Sequence, residues 1–439
     1  MPMHEEDVES FPLALPEGID DEKYVIAIYF ASVPRNWDIE RIAMAIAVEQ
    51  TTGTWIRVPG ETPELRKEHI GKVIGIYEIP DFEYEVPADV ELRKYIIQIA
   101  FPHENFMNEI SMLLTTVLGN ISMAGRVKLL DVRFPKTYLK LFKGPKFGVP
   151  GLRKYLNIPK RPILNNMIKP CTGYPPDIGA GLAYEALAGG VDFVKDDELL
   201  ANAPFNTVED RIVKYMEVVD KAEQETGEKK MYTINITADP PKIFEFADKV
   251  IELGANAIMV NFLVVGIGAM KALAEDPSIK VPILGHMDLA GAIYEDPETG
   301  ISSHLILGKL PRLAGADITV YPAPYGKQPF YIKEKYLKVG KTLLFPMHNI
   351  KPTLPMPAGG IIQIHVPQLV KDLGPNIAIG AGGAIHAHPM NPRAGAKAFR
   401  QAIDATMEKI PLEQYAEKHP ELKAAIEAWK KGSLAFMLE

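Results

Sequence analysis

The sequence predicts an α/β protein in which a C-terminal (β/α)8 barrel follows an α+β domain. The main observation is a series of eight short apolar runs after residue 161, separated by helical patterns such as VEDRIVKYMEVVDKAEQ. The runs are ILNNMI, VDFV, YTINI, AIMVNF, VPILGH, DITVYP, LPMPAGG and IAIGAGG. Eight alternating strand and helix units in about 250 residues are typical of a TIM barrel.

The N-terminal part of the chain has a different pattern. Strand-like runs (YVIAIYFA, VIGIYEIP, KYIIQIAFP) alternate with helical patterns (IERIAMAIAVEQ, FMNEISMLLTTVL), which predicts a ferredoxin-like α+β domain. The Gly- and Pro-rich segment from residue 142 to 151 marks the boundary. We therefore expect an N-terminal domain over 1–150 and a barrel over 151–439 that ends in a helical tail at 411–436. Residues 1–19 are polar and Pro-rich, and predict a loose arm.

Composition excludes several classes of function. The net charge is −8, and no basic stretch is dense enough for nucleic-acid binding. The start of the chain lacks the order of a signal peptide, and the longest apolar stretch, 255–270, is too interrupted to cross a membrane. The single cysteine, Cys171, allows no intrachain disulfide. We expect a soluble, cytoplasmic protein.

The barrel prediction locates the active site. Such barrels build it at the carboxyl ends of their strands, so polar residues that directly follow a strand are candidates. These are Lys169, Lys195, Asp197, Glu198, His286, Lys327 and the glycine pairs Gly359–Gly360 and Gly382–Gly383. Carboxylates such as Asp197 and Glu198 are ligands that Mg²⁺ prefers. Taken alone, the charges from 195 to 198 also fit a solvated set of salt bridges.

A resemblance to a known family covers most of the chain. The run GGVDFVKDDE, residues 189–198, closely resembles the activation motif of the ribulose-bisphosphate carboxylase (Rubisco) large-subunit superfamily. The run IAVEQTTGTW at 46–55, LGN at 118–120, IKP at 168–170, His286, GK at 326–327, the glycine pairs and HP at 388–389 follow in family order. The resemblance implies that CO₂ carbamylates Lys195, and that the carbamate, Asp197 and Glu198 bind Mg²⁺.

The resemblance also implies roles for the other candidates. The glycine pairs, Thr54 and Trp55 would bind a substrate phosphate, Lys327 would cap the substrate, and Glu49 would support Lys327. Thr54 and Asn120 would come from a second subunit, so a homodimer or a multimer of dimers is expected to share each active site. Lys169 or the carbamate would take a proton, and His286 would move a hydroxyl proton. Plain turns, a structural histidine and an exposed loop lysine remain the alternatives for the glycine pairs, His286 and Lys327.

Several positions depart from the family pattern. Carboxylases bind a second substrate phosphate with an arginine, a histidine and a serine, and ungapped alignment puts Met287, Val320 and Ala358 there. Losing three hydrogen bonds to a charged group removes on the order of 5 kcal/mol of binding. Cys171 stands for a lysine, Ala290 for a histidine, Met167 for a threonine, and Gln328-Pro329-Phe330 for Leu-Glu-Gly. Asn120 stands where the methionine-salvage enolase is thought to use a lysine, which argues against that specific reaction.

These features favour the Rubisco-like (form IV) branch over a working carboxylase. The predicted function is Mg²⁺-dependent enolisation, isomerisation or decarboxylation of a monophosphorylated ketose through an enediolate. The alternatives are an archaeal-type ribulose-1,5-bisphosphate carboxylase, for which the full metal motif speaks, and a non-catalytic binding protein on the same fold.

Overall fold

A computed structural model describes residues 8–53, 56, 58–328 and 331–430. The chain divides into two units. The first is the described part of Met1–Phe142 together with Leu289–Ile306, and the second is Lys143–Asp288 together with the described part of Leu307–Glu439.

The strands and helices follow in chain order. The strands are β1 (Tyr24–Pro34), β2 (Lys72–Glu78), β3 (Leu92–Pro102), β4 (Arg126–Arg133), β5 (Ile163–Met167), β6 (Phe193–Lys195), β7 (Met231–Asn235), β8 (Ala257–Asn261), β9 (Ile283–His286), β10 (Gly300–Ile301), β11 (Ile318–Pro322), β12 (Leu354–Ala358) and β13 (Ala378–Ala381). The α-helices are α1 (Ile39–Glu49), α2 (Pro63–His69), α3 (Ile110–Leu118), α4 (Lys136–Leu139), α5 (Gly148–Leu156), α6 (Pro176–Ala188), α7 (Val208–Thr226), α8 (Lys242–Glu252), α9 (Phe262–Val265), α10 (Ile267–Glu275), α11 (Ala290–Tyr294), α12 (Leu310–Leu313), α13 (Lys333–Leu344), α14 (Val366–Leu373), α15 (Gly383–His386), α16 (Pro392–Glu408), α17 (Leu412–Ala416) and α18 (Pro420–Ala428).

The first unit is built on a sheet with the strand order β10-β4-β1-β3-β2. β1 pairs antiparallel with β3 and β4, and β2 pairs antiparallel with β3, which is the ferredoxin-like arrangement. β10 adds a parallel edge beside β4, with Gly300 opposite Lys128. Helix α1 begins after Asp38, whose side chain caps Arg41 N–H, and it buries an apolar face that includes Ile46.

The start of the chain is more ordered than the sequence predicted. Leu13 forms an isolated parallel bridge with Val73. Val73 N–H donates to Pro12 O at 2.9 Å, and Ala14 N–H donates to Val73 O at 3.0 Å. The prediction of a loose arm was therefore wrong for residues 12–14, because backbone pairing with β2 does not depend on polar composition.

The second unit is a parallel eight-stranded barrel, as predicted. Its strand order, β12-β11-β9-β8-β7-β6-β5-β13, is the cyclic order that a (β/α)8 barrel requires. The interior is apolar and fully buried, with Phe193, Met231, Leu284 and Met356 among the side chains that fill it. All eight carboxyl ends lie at one mouth, which brings the candidate residues together. No helix within the described ranges is both long and apolar enough to span a bilayer.

Candidate active site

The segment from Lys195 to Glu198 lies at the carboxyl end of β6. The Lys195 side chain is completely buried, and its Nζ donates to Asp196 O at 2.7 Å and lies 3.4 Å from Glu198 Oε2. Burial lowers the pKa of Lys195, although the charges of Glu198 and Asp197 oppose that shift. Asp197 is also fully buried. The solvated-cluster alternative is therefore wrong.

Two adjacent aspartates of this segment point in different directions. Asp196 accepts hydrogen bonds from Arg211 Nε at 2.9 Å, Tyr232 Oη at 2.7 Å and Asn235 N–H at 2.9 Å, and both Asp196 and Arg211 are completely buried. Asp197 instead accepts a close hydrogen bond from Lys169 Nζ. Asp196 therefore belongs to the internal packing, whereas Asp197 faces the candidate site.

Lys169 follows β5 and is paired with Asp197. Its Nζ also lies 3.1 Å from Cys171 Sγ. Burial lowers the pKa of Lys169, but the hydrogen bond and charge of Asp197 outweigh burial and raise it above its usual value. Lys169 is therefore an ion-pair partner of Asp197 in this arrangement, and its role as a base stays a prediction.

His286, at the end of β9, lies between two carboxylates. Its Nε2 is 3.3 Å from Glu198 Oε2, and its Nδ1 is 2.9 Å from Asp288 Oδ2. The histidine is only 4% exposed. Burial alone would raise the pKa of Glu198, but the charges of Lys195 and His286 outweigh it and lower the pKa. The ring of His286 therefore contacts a carboxylate on each side.

Three polar residues that sequence analysis did not place in the site support this group. Asn235 Nδ2 donates to Glu198 O at 3.3 Å, and Asn261 Nδ2 donates to the same oxygen at 3.2 Å. Asp288 orients His286. Each of the three residues ends or follows a barrel strand. The criterion that identified the other candidates, a polar residue at or just after the end of a strand, could therefore have found them.

The glycine pairs lie where two strands end. Gly359 and Gly360 have φ of 97° and 76°, which favour glycine. Lys327 N–H donates to Gly359 O at 2.8 Å, and a Cβ on Gly326 would lie 2.0 Å from the same oxygen. Lys327 itself is exposed.

The second glycine pair begins helix α15. A Cβ on Gly382 would lie 3.3 Å from Lys169 Cε, so this turn is next to the lysine. A Cβ added to Gly383 would meet no atom within 4 Å, which leaves space beside its backbone. Bare backbone at this position suits close approach by an anion.

Four apolar side chains lie at positions where the resemblance described above predicts polar groups. Val320 and Ala358 are buried in the barrel's apolar cluster, and Met167 and Met287 pack against that cluster. This part of the barrel mouth is therefore continuous with the core. A dianion held against it would lose hydration without gaining charged partners from these four positions.

The remaining predicted residues lie in the first unit or outside the described ranges. Glu49 ends α1 and Asn120 begins a short 3-10 helix, and both are exposed. Thr54 and Trp55 lie outside the described residues. Contributions of Glu49, Thr54, Trp55 and Asn120 to a site on a second subunit stay predictions.

The donor chemistry fits Mg²⁺ if Lys195 is modified. In the described part of the chain, no three His, Cys, Asp or Glu side chains are placed to hold a metal ion. Two lysines, Lys169 and Lys195, face two carboxylates, Asp197 and Glu198. A carbamate on Lys195 would change one positive charge to a negative one and supply the third anionic oxygen ligand. The group would then carry an excess of negative charge, which a divalent cation balances.

Family models match both parts of the chain. The ribulose bisphosphate carboxylase large chain N-terminal domain matches residues 17–138, and the catalytic domain of the same large chain matches residues 148–429. The two matches together cover most of the sequence.

Individual relatives cover nearly the whole chain. A ribulose bisphosphate carboxylase-like protein of Archaeoglobus fulgidus is 57% identical over 94% of each chain. A 2,3-diketo-5-methylthiopentyl-1-phosphate enolase of Bacillus licheniformis is 37% identical over 92% of this chain and 98% of its own. Among solved structures, an octameric ribulose-1,5-bisphosphate carboxylase/oxygenase of Pyrococcus horikoshii has a TM-score of 0.86 at 32% identity, covering 96% of each chain. A rubisco-like protein of Alicyclobacillus acidocaldarius has a TM-score of 0.84 at 36% identity, covering 92% of this chain and 100% of its own.

Proposed function

Because the chain belongs to the ribulose bisphosphate carboxylase large-chain family, in its Rubisco-like group, we propose that it is an Mg²⁺-dependent enolase or isomerase of a monophosphorylated ketose. The observation that carries the proposal is the group formed by the buried Lys195 and Asp197 and the partly exposed Glu198, with Lys169 and His286 around it. Relatives named as enolases support enolase-type chemistry within the family.

The proposed reaction begins with removal of a proton next to a ketone. When bound, Mg²⁺ would stabilise the negative charge that develops on the substrate oxygens. Lys195 as its carbamate, Asp197 and Glu198 would hold the metal. The carbamate oxygen of Lys195, or Lys169 Nζ once its pairing with Asp197 is relieved, would take the proton from carbon, and protonated Lys169 would then stabilise an enediolate oxygen. His286 would move the hydroxyl proton, with Asp288 fixing its ring.

The substrate is proposed to carry one phosphate. Gly382 and Gly383 lie beside Lys169, where an anion is favoured. The other end of the substrate would face the apolar positions Met287, Val320 and Ala358, so a neutral or apolar tail fits there. Loss of CO₂ from a 3-oxo acid phosphate would pass through the same kind of enediolate, and a decarboxylase is part of this proposal.

Proton exchange provides the test. The protein, with Mg²⁺ and bicarbonate in D₂O, is incubated with a panel of ketose 1-phosphates, and deuterium incorporation is followed by NMR. Lys195→Met should abolish the exchange. Lys230→Met is the matched control, because Lys230 is also completely buried but its Nζ bonds Val191 O at the opposite end of the barrel. Exchange that survives Lys195→Met contradicts the proposal.

Carbamylation has a readout of its own. With ¹³C-labelled bicarbonate, a carbamate signal should appear in the wild type and in Lys230→Met, and be missing in Lys195→Met. A signal that persists without Lys195 would show that another amine carries it.

An active carboxylase is the second candidate, favoured by the complete metal motif. It predicts fixation of labelled bicarbonate onto ribulose bisphosphate and tight binding of that bisphosphate by calorimetry. If the protein neither fixes labelled bicarbonate nor binds ribulose bisphosphate tightly, but does exchange deuterium into a monophosphate, the enolase or isomerase proposal is supported over the carboxylase. A protein that shows neither exchange nor fixation would fit the non-catalytic alternative.

A further inference from the structure

The segment that carries Lys327 joins β11 to α13, and one carboxylate contacts both of its ends. Asp372, on α14, accepts a close hydrogen bond from Tyr325 Oη. Lys333 Nζ, at the first residue of α13, lies 3.1 Å from Asp372 Oδ1. Tyr325 stands two residues before Lys327, and Lys333 six residues after it.

Asp372 is held firmly enough to act as an anchor. Its side chain is only 6% exposed, and Gln368 Nε2, one turn earlier on α14, donates to Asp372 Oδ1 at 2.7 Å. The Tyr325 ring packs edge-on against Tyr336 of α13, which is completely buried. Tyr325 therefore joins the loop to the interior through both its ring and its hydroxyl.

The backbone next to this anchor is also fixed. Lys327 N–H donates to Gly359 O at 2.8 Å, and Gly326 packs against the same turn without room for a Cβ. The Lys327 side chain is nevertheless exposed, so these contacts position only the backbone of Lys327. Tyr325 and Asp372 restrict how far the backbone of Lys327 can move.

We propose that Asp372 is a positioning residue that holds both ends of the Lys327 segment through Tyr325 and Lys333, and so places Lys327 at the barrel mouth. The contacts themselves do not depend on the reaction, but the effect on catalysis rests on the proposed function and on Lys327 capping the substrate, the role that the family resemblance implies. Asp372 does not touch substrate in this role; it acts through Lys327.

Amide hydrogen exchange tests the anchor without any substrate. Asp372→Ala should speed exchange of the Lys327 N–H by about tenfold or more, and Tyr325→Phe should give a smaller increase, because it removes one of the two attachments. The matched control is Glu228→Ala, since Glu228 also pairs with two cations, Lys230 and Arg400, away from this loop. Unchanged Lys327 exchange in Asp372→Ala overturns the proposal.

Kinetics then test positioning. On a ketose phosphate that shows deuterium exchange, Asp372→Ala should lower kcat at least tenfold while Glu228→Ala keeps it, and Lys333→Met should act in the same direction as Tyr325→Phe. Faster amide exchange with unaltered kcat would refute the positioning role. If the wild type activates no carbon acid, the proposed function fails, and amide exchange still decides whether Asp372 anchors the segment.

Discussion

The adjacent residues Asp196 and Asp197 should respond in opposite ways to the same substitution. Asp196→Asn leaves Arg211 with an uncompensated charge inside the barrel wall, and both side chains are completely buried. Breaking such a buried pair costs about 3–5 kcal/mol of unfolding free energy. The amide can keep most of the hydrogen bonds, so the loss comes mainly from the missing charge.

Asp197→Asn should cost far less stability. Its partner Lys169 has a side chain that is 28% exposed, so water can solvate the freed amine, and about 1 kcal/mol is expected. Activity should fall by ~10³ or more, because a ligand of the catalytic metal is lost.

Two measurements separate these effects. Urea unfolding gives the stability of each variant, and Mg²⁺-dependent deuterium exchange gives its activity. Removing both charges in Asp196→Asn with Arg211→Gln should restore much of the lost stability, because no unpaired charge remains. Equal destabilisation by the two single substitutions, or full activity in Asp197→Asn, would refute the assignment of Asp196 to packing and Asp197 to the site.

Other substitutions give independent expectations. Gly326→Ala should reduce deuterium exchange at least tenfold and also lower stability, because its Cβ would lie 2.0 Å from the backbone oxygen of Gly359 and would displace Lys327. Gly181→Ala, in open space on α6, should leave the rate unchanged. Asp317 is buried, accepts N–H bonds from Phe147, Gly148 and Ile283, and has its pKa raised to about 6 by burial. Because the folded state then binds the proton more tightly than the unfolded state, the stabilisation is fully present below the ordinary pKa of 3.8 and is lost as pH rises through about 6. The stability advantage of wild type over Asp317→Asn should therefore shrink by roughly 2 to 2.5 kcal/mol between pH 4 and pH 7, and a pH-independent difference in urea unfolding would contradict the shift.

Much of the barrel could be predicted from local patterns. Each of the eight apolar runs corresponds to a strand, because strands buried on both faces are apolar along their whole length. The two-residue strand β10 gave no such signal, since its pairing with β4 depends on a partner more than 160 residues away in sequence. Pairing of Pro12 and Ala14 with Val73 was missed for the same reason.

The site was predicted in part. Position after a strand indicated Lys169, Lys195, Asp197, Glu198 and His286. The structure pairs Lys169 with Asp197 and places Lys195 and His286 next to Glu198. Local sequence could not show that Asp196 turns toward Arg211, because the direction of a side chain at a strand end depends on the local twist and on distant partners. Nor could it show that Lys169 is paired with Asp197, because the two residues are 28 positions apart in sequence.

The chain leaves the second unit after Asp288 and returns at Leu307, having added β10 to the other sheet. Neither unit is therefore one uninterrupted stretch of polypeptide. A fragment ending at residue 142 would lack an edge of its sheet, and a fragment starting at 143 would carry that edge as a strand without its β4 partner. Division of labour between the units is better studied by point substitution or circular permutation than by cutting the gene at the apparent boundary.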